Sequence, residues 1–310
     1  MTAADDLPLA AEQEGASARL MRLATYASVS VAAILIGAKL VAWSLTGSVA
    51  MLSTLVDSLL DGLASIITLI AVRHALTPAD REHRFGHGKA EALAAMAQSA
   101  FVTGSAIIVL FHAGTRLFQP QPVTATDVGI AVMIGSIALT LALVIFQHYV
   151  VRRTNSLAIT ADTLHYKGDL LINLAVLLAL GATHYVDLPF IDPLVGAGIA
   201  LYLLYGAWRI LHGALDMLMD RELPEADRER IRAIAQQHKD VRSLHDLRTR
   251  RSGSDVFIQL HLELDPDITL MDAHLISDEV ELDIAQAFKG AEVLIHQDPE
   301  GYEEYHPHIP

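Results

Sequence analysis

The chain has 310 residues, 52% of them hydrophobic, a formal net charge of −14, fifteen histidines and no cysteine. The missing cysteines exclude a disulfide framework and thiolate metal sites, so any metal chemistry here is that of histidine and carboxylate. The acidic balance argues against a nucleic-acid partner.

Residues 1–18 are polar and acidic, lack a basic leader pattern, and read as a mobile cytosolic arm. Six apolar segments follow, each near the ~20 residues a helix needs to cross a bilayer: Leu20–Leu45, Ser48–Ala75, Ala90–Phe118, Asp127–Val151, Ser156–Tyr185 and Asp192–Leu218. Gly, Pro, Asn or charge clusters break them (TGS, PADREHRFGHG, QPQPVT, RRTN, VDLPFIDP). Arg19, Arg22, Arg73, Arg81, Arg84, Lys89, Arg152, Arg153 and Arg221 flank alternate breaks, with Arg116 the exception. The positive-inside rule therefore predicts that both termini lie in the cytosol.

After Asp220 the pattern becomes that of water-soluble protein. Glu225–Gln237 and Leu270–Phe288 have helical spacing. Leu244–Arg251 and Val256–Leu264 form a hairpin around Ser-Gly-Ser, and Glu292–His296 a third strand. The expected division is a transmembrane domain over 19–220 and an α+β domain over 221–310.

Two carboxylates in the second segment, Asp57 and Asp61, are four residues apart and share a helix face. His165 and Asp169 repeat that spacing in the fifth. An isolated charge at mid-membrane costs upward of about 2.5 kcal/mol, so such groups mark ion pathways. If the two faces meet, three carboxylates and one imidazole can surround a tetrahedral divalent ion, Zn²⁺ being the natural guest. Asp162, three residues before His165, is a weaker candidate. Because a metal needs deprotonated ligands, a site that swaps protons for metal is an exchanger, with His165 the best proton carrier. Asp80, His83 and His87 form a D-x-x-H-x-x-x-H loop pattern. In VFIQLHLEL the aliphatic residues alternate onto one face and leave His261 on the other, so His261 is no core histidine. A zinc enzyme is disfavoured because no H-E-x-x-H helix is present. The remaining alternative is a membrane-bound metal sensor that does not transport.

VDSLLD, PADREHRFGHGKAE, ADTLHYKGD, HDLRTR, IQLHLE and IHQDP together resemble the cation diffusion facilitators, in particular the bacterial exporters of the ferrous-iron efflux type, from about Ala24 to Pro299. The resemblance implies a homodimeric proton-coupled antiporter for Zn²⁺, Cd²⁺ or Fe²⁺. Each protomer would pair a six-helix bundle with a ferredoxin-like, metallochaperone-like cytosolic domain. It implies a transport site of Asp57, Asp61, His165 and Asp169 and a loop site of Asp80, His83 and His87. It also implies a regulatory two-metal site of His245, His261, His274, His296, Gln297 and Asp298, with Lys89 and Asp220 as a charge pair linking helices three and six. His306 and His308 have no assigned counterpart.

Overall fold

A computed structural model describes residues 7–118, 127–182, 191–288 and 290–301. The chain divides into two compact units, a helical one over Gly15–Leu215 and a second that includes Asp216–Pro310. His306, His308 and the expected end of the fifth helix at 183–185 lie outside the described residues.

The helical unit holds α1 (Leu7–Thr46), α2 (Val49–Ala75), α3 (Ala90–Phe118), α4 (Asp127–Thr154), α5 (Leu157–Ala182) and α6 (Ile191–Leu218). Helix α1 begins inside the segment expected to be a mobile arm. Its first turns (LPLAAEQE) are rich in strong helix formers, and local propensity extends the helix. Helices α4 and α5 are separated by one tight turn. Asn155 takes a left-handed φ of 51°, which asparagine tolerates, and Ser156 Oγ accepts from the Ile159 N–H at 3.3 Å to cap α5. Glu91 of α3 accepts from the Ser156 hydroxyl, fastening that cap to a second helix.

Among the described residues, five helices are long and apolar enough to cross a membrane: those containing Gly15–Thr46, Met51–Ala75, Ala90–Phe118, Val128–Thr154 and Pro193–Leu218. Helix α5 is the exception. Its 26 residues give about 39 Å of length, but Asp162, His165, Lys167 and Asp169 lower its hydropathy. Packing shows what makes these groups tolerable. Helix α5 lies against α2, α3 and α4, and every residue from Ala161 to Tyr166 is buried. Glycines admit α6 to its remaining side. A Cβ on Gly206 would stand 2.7 Å from Leu164, and one on Gly168 would stand 3.0 Å from Leu203.

A buried polar network joins five helices. The Asp162 carboxyl accepts from Ser28 Oγ of α1 (2.7 Å), Gln98 Nε2 of α3 (3.2 Å) and Gln147 Nε2 of α4 (2.6 Å). Gln98 also donates to the Ala64 carbonyl and Thr68 Oγ1 of α2 (3.1 and 2.9 Å). Ser65 Oγ lies 3.0 Å from Ser28 Oγ and 2.8 Å from the Tyr166 hydroxyl. Asp162, which the sequence offered as a marginal metal ligand, is thus engaged by protein donors.

The second unit has α7 (Glu225–Ala235), β1 (Ser243–Ser252), β2 (Asp255–Leu264), α8 (Leu270–Ala287) and β3 (Ala291–Pro299). The sheet order is β1-β2-β3, with β2 antiparallel to β1 and parallel to β3. Gly253 at φ 63° makes the hairpin turn, and Thr269 caps α8 by accepting from the Asp272 N–H at 3.1 Å. Val256, Ile258, Leu260, Leu262 and Leu264 pack with Ile231 of α7 and Ile276, Val280 and Ile284 of α8. The helices therefore cover one sheet face and leave the face of His261 clear.

Removing the Asp162 carboxyl strands the donors of Ser28, Gln98 and Gln147, each buried group left unpaired costing about 1–3 kcal/mol. Asp162→Ala is expected to lower the melting temperature of the detergent-solubilised protein by several degrees. A thermal scan that superimposes on wild type would contradict the role given to this network.

Candidate metal centres

In the transmembrane unit Asp61, His165 and Asp169 each offer a ligand atom within 4.8 Å of the others. His165 Nε2 lies 3.0 Å from Asp61 Oδ1 and 3.7 Å from Asp169 Oδ2. Tetrahedral zinc with bonds of about 2.0–2.1 Å separates its ligand atoms by roughly 3.3 Å, so these spacings suit the ion. The His165 side chain is 8% exposed, while Asp61 and Asp169 are 21% and 34% exposed, so the set opens on its carboxylate side. Asp57 stays outside the set. It lies one turn, about 6 Å, nearer the start of α2 and its side chain is exposed. Repulsion from Asp61 and attraction to Lys39 both act on it.

Lys39 of α1 is a participant that sequence reasoning missed. Its ammonium donates to Ser58 Oγ (2.6 Å) and to the Thr54 carbonyl (3.2 Å), and it experiences the charges of Asp61, Asp169 and Asp57. The available signal was a lysine inside the first apolar segment.

Asp80, His83 and His87 also converge, in the α2–α3 connection. Asp80 Oδ1 accepts from the backbone N–H groups of His83 (2.6 Å) and Glu82 (2.8 Å). Those bonds, the His83 one foremost, hold its carboxyl below the usual carboxylate range. His87 Nδ1 lies 3.2 Å from the Thr77 carbonyl, which can only accept, so the proton sits on Nδ1. Nε2 is then free as a ligand and points to Asp80 Oδ2 at 3.4 Å. His74, unremarked in the sequence, stacks edge-on to His87 at 4.6 Å between ring centroids.

The second unit builds its cluster from strand register. His245 is paired with His261 across the antiparallel ladder, and His261 with His296 across the parallel one. Three imidazoles therefore form a row on the uncovered sheet face. Asp298 is 8% exposed and sits among them. Its Oδ2 is 2.8 Å from His261 Nδ1 and 3.5 Å from His245 Nε2, and its Oδ1 is 3.3 Å from His296 Nε2. His245, His261 and Asp298 present ligand atoms within 4.8 Å of one another. Glu263 Oε1 adds a carboxylate 3.3 Å from His245 Nδ1.

Two expected members do not join this cluster within the chain. His274 lies on α8, in the layer that covers the opposite sheet face, and pairs with Asp278 at 3.5 Å. The Gln297 side chain also points to that layer, donating to Ser277 Oγ at 2.9 Å, because residues alternate along β3. Asp246 was not anticipated. It occupies a bulge at φ 49°, 3.9 Å from His261 Nε2, and is clasped by Arg248 at 3.1 and 2.9 Å. Lys89 begins the run into α3, its carbonyl accepting from the Leu93 N–H (3.3 Å), and Asp220 pairs with Arg250 at 3.5 Å.

Asp298→Ala removes the carboxylate common to all three histidines. It is expected to weaken metal binding by this unit by more than roughly tenfold, and by more than His245→Ala does. Calorimetric titration of the two variants with zinc checks the order, and equal losses would show that Asp298 is not central.

The comparisons with known proteins agree with this two-part organisation. Residues 25–219 match the cation efflux transmembrane domain, and residues 223–300 match the cytoplasmic domain of cation efflux proteins. The cation-efflux pump FieF of Shewanella oneidensis is 50% identical over 279 residues, 90% of this chain and 94% of that protein. The pump of the same name from Serratia proteamaculans is 47% identical over 282 residues, 91% of this chain and 94% of that one. The metal-bound C-terminal domain of the CzcD transporter from Thermotoga maritima is 28% identical, covering 26% of this chain and 93% of its own, with a TM-score of 0.25. The chain belongs to the cation efflux family, the cation diffusion facilitators.

Proposed function

We propose that this protein exports divalent transition-metal ions from the cytosol in exchange for protons, with Zn²⁺ the preferred cargo and Cd²⁺ and Fe²⁺ also accepted. The observation that carries the reading is the convergence of Asp61, His165 and Asp169 inside a unit of membrane-length apolar helices. Asp57 joins as the fourth ligand when an ion relieves its repulsion by Asp61. Three carboxylates cannot remain ionised together there without a cation, so metal and protons compete for one set of atoms. Alternating exposure of that set to the two sides of the membrane couples the flows.

In this reading α5 is the sixth membrane span, its polar groups turned toward neighbouring helices. The transmembrane domain runs over 19–220 and the cytosolic domain over 221–310, in a homodimer of the bacterial inner membrane with both termini cytosolic. The Asp80–His83–His87 loop and the His245–His261–His296–Asp298 cluster hold zinc in a regulatory or structural role. Lys89 and Asp220 form a charge pair between helices three and six.

Asp61→Ala and Asp169→Ala are expected to abolish zinc flux into proteoliposomes by at least about tenfold while leaving the protein folded, each removing a ligand available only at this site. Undiminished flux at equal reconstitution would refute the site. A wild-type protein that binds zinc but moves none would favour the sensor instead. His165→Asp makes the site all-oxygen and is expected to shift preference from zinc toward manganese. An unchanged ratio of the two fluxes would place selectivity elsewhere.

A further inference from the structure

A cavity opens among α4, α5 and α6, on the side of α5 turned away from His165 and Asp169. It measures about 410 Å³, with His148, Lys167, Tyr202 and Arg209 bringing polar groups to it. Lys167 lies between His165 and Asp169 in sequence. Two residues of helix rotate a side chain by about 200°, so it faces the opposite way from both.

The cavity has no acidic residue in its lining, and no carboxylate ion pair of Lys167, Arg209 or His148 exists among the described residues. Thr160 and Thr163 also line it, but their hydroxyls donate to the carbonyls of Ser156 and Ile159 and do not neutralise charge. Two cations and an imidazole in one cleft between apolar helices need an anion. The walls Val151, Leu157, Leu164 and Ile210 are aliphatic and suit an acyl chain.

The level of the cleft in the membrane identifies the source of the anion. The apolar run of α4 ends at Phe146, two residues before His148, and that of α6 ends at Trp208, next to Arg209. Tyr149, Tyr202, Tyr205 and Trp208 are exposed around it, 48%, 48%, 63% and 60% respectively, as in the aromatic belt at a bilayer surface. His148 and Arg209 therefore lie near the phosphates of one leaflet, at the membrane face where α4 ends and α5 begins, and Lys167, about 15 Å along α5 from Leu157, reaches toward them from deeper in the bundle.

We propose that this cleft binds the phosphodiester headgroup of an anionic phospholipid, held by Lys167 and Arg209 with His148 and the Tyr202 hydroxyl at its rim. The same chemistry would recognise free phosphate, and the aliphatic walls and interfacial level favour the lipid. None of these residues belongs to the transport or loop sites.

The test uses the full chain in nanodiscs of phosphatidylcholine doped with phosphatidylglycerol, with retained lipid counted by native mass spectrometry. A charge near the membrane surface contributes about fivefold, so K167Q/R209Q is expected to lose phosphatidylglycerol by roughly 30-fold relative to wild type. K167R/R209K, which keeps both charges, is expected to retain it. If the glutamine double variant does not fold, K167Q alone is expected to show the fivefold loss. Equal retention of phosphatidylglycerol by wild type and the folded glutamine variants would overturn the proposal. So would displacement of the lipid by millimolar inorganic phosphate, which would mark the cleft as a site for soluble anions.

Discussion

The carboxyl of Asp162 is the fixed point of the helical unit. It takes hydrogen bonds from three helices at 2.6–3.2 Å, and Gln98 extends the linkage to a fourth. A buried carboxyl without such donors would be strongly unfavourable, so the helices that supply them are held in one arrangement. His165 follows Asp162 by three residues on α5 and Tyr166 by four. The rotation and height of the side of α5 that carries His165 and Asp169 are therefore set by a network that includes neither residue. The geometry of Asp61, His165 and Asp169 depends on where α5 sits against α2, and that placement is governed one turn away.

The same dependence explains what could be read from the sequence. The i,i+4 spacings of Asp57 with Asp61 and of His165 with Asp169 were legible because helical periodicity is local, and the fold brings Asp61, His165 and Asp169 together while Asp57 stays outside the set. The extents of α2, α3 and α8 were legible for the same reason, since Gly, Pro and capping residues mark their ends. The role of Asp162 was not legible. Its partners are 134, 64 and 15 residues away, and hydrogen bonds at those separations leave no mark in a local pattern. Lys39 escaped notice because one lysine in an apolar run has no spacing to interpret, and only the fold brings it near Ser58. Helix α1 extended past its expected start because propensity outweighed polarity in a segment with no strong stop signal.

In the second unit the register carries the information. Alternation along β2 put His261 on the free face, and that was legible. That His245, His261 and His296 form one row needed the pairing of three strands, and a one-residue slip would turn any of them into the core. His274 shows the limit of matching residues one by one. A histidine can occupy the expected position in the chain and still stand in the layer on the far side of the sheet.

Charge ties the transport reading to Lys39. Three ionised carboxylates and a zinc dication leave the site with one net negative charge, which a low-dielectric bundle tolerates poorly. In the proposed site the Lys39 amine, anchored to Ser58 and Thr54 and near all three carboxylates, is the group placed to carry the missing unit of positive charge. In that reading the metal-loaded ensemble is neutral without a proton. In the proposed exchange, departure of zinc removes two positive charges, and protons on the carboxylates and His165 are the mobile species that replace them. An exchange of two protons per zinc would move no net charge across the membrane, whereas one proton per zinc would move a charge against a potential worth about 2.3 kcal/mol per 100 mV. The fixed lysine thus bears on the proton count through electrostatics alone, while its anchoring by α2 keeps it out of the ligand set.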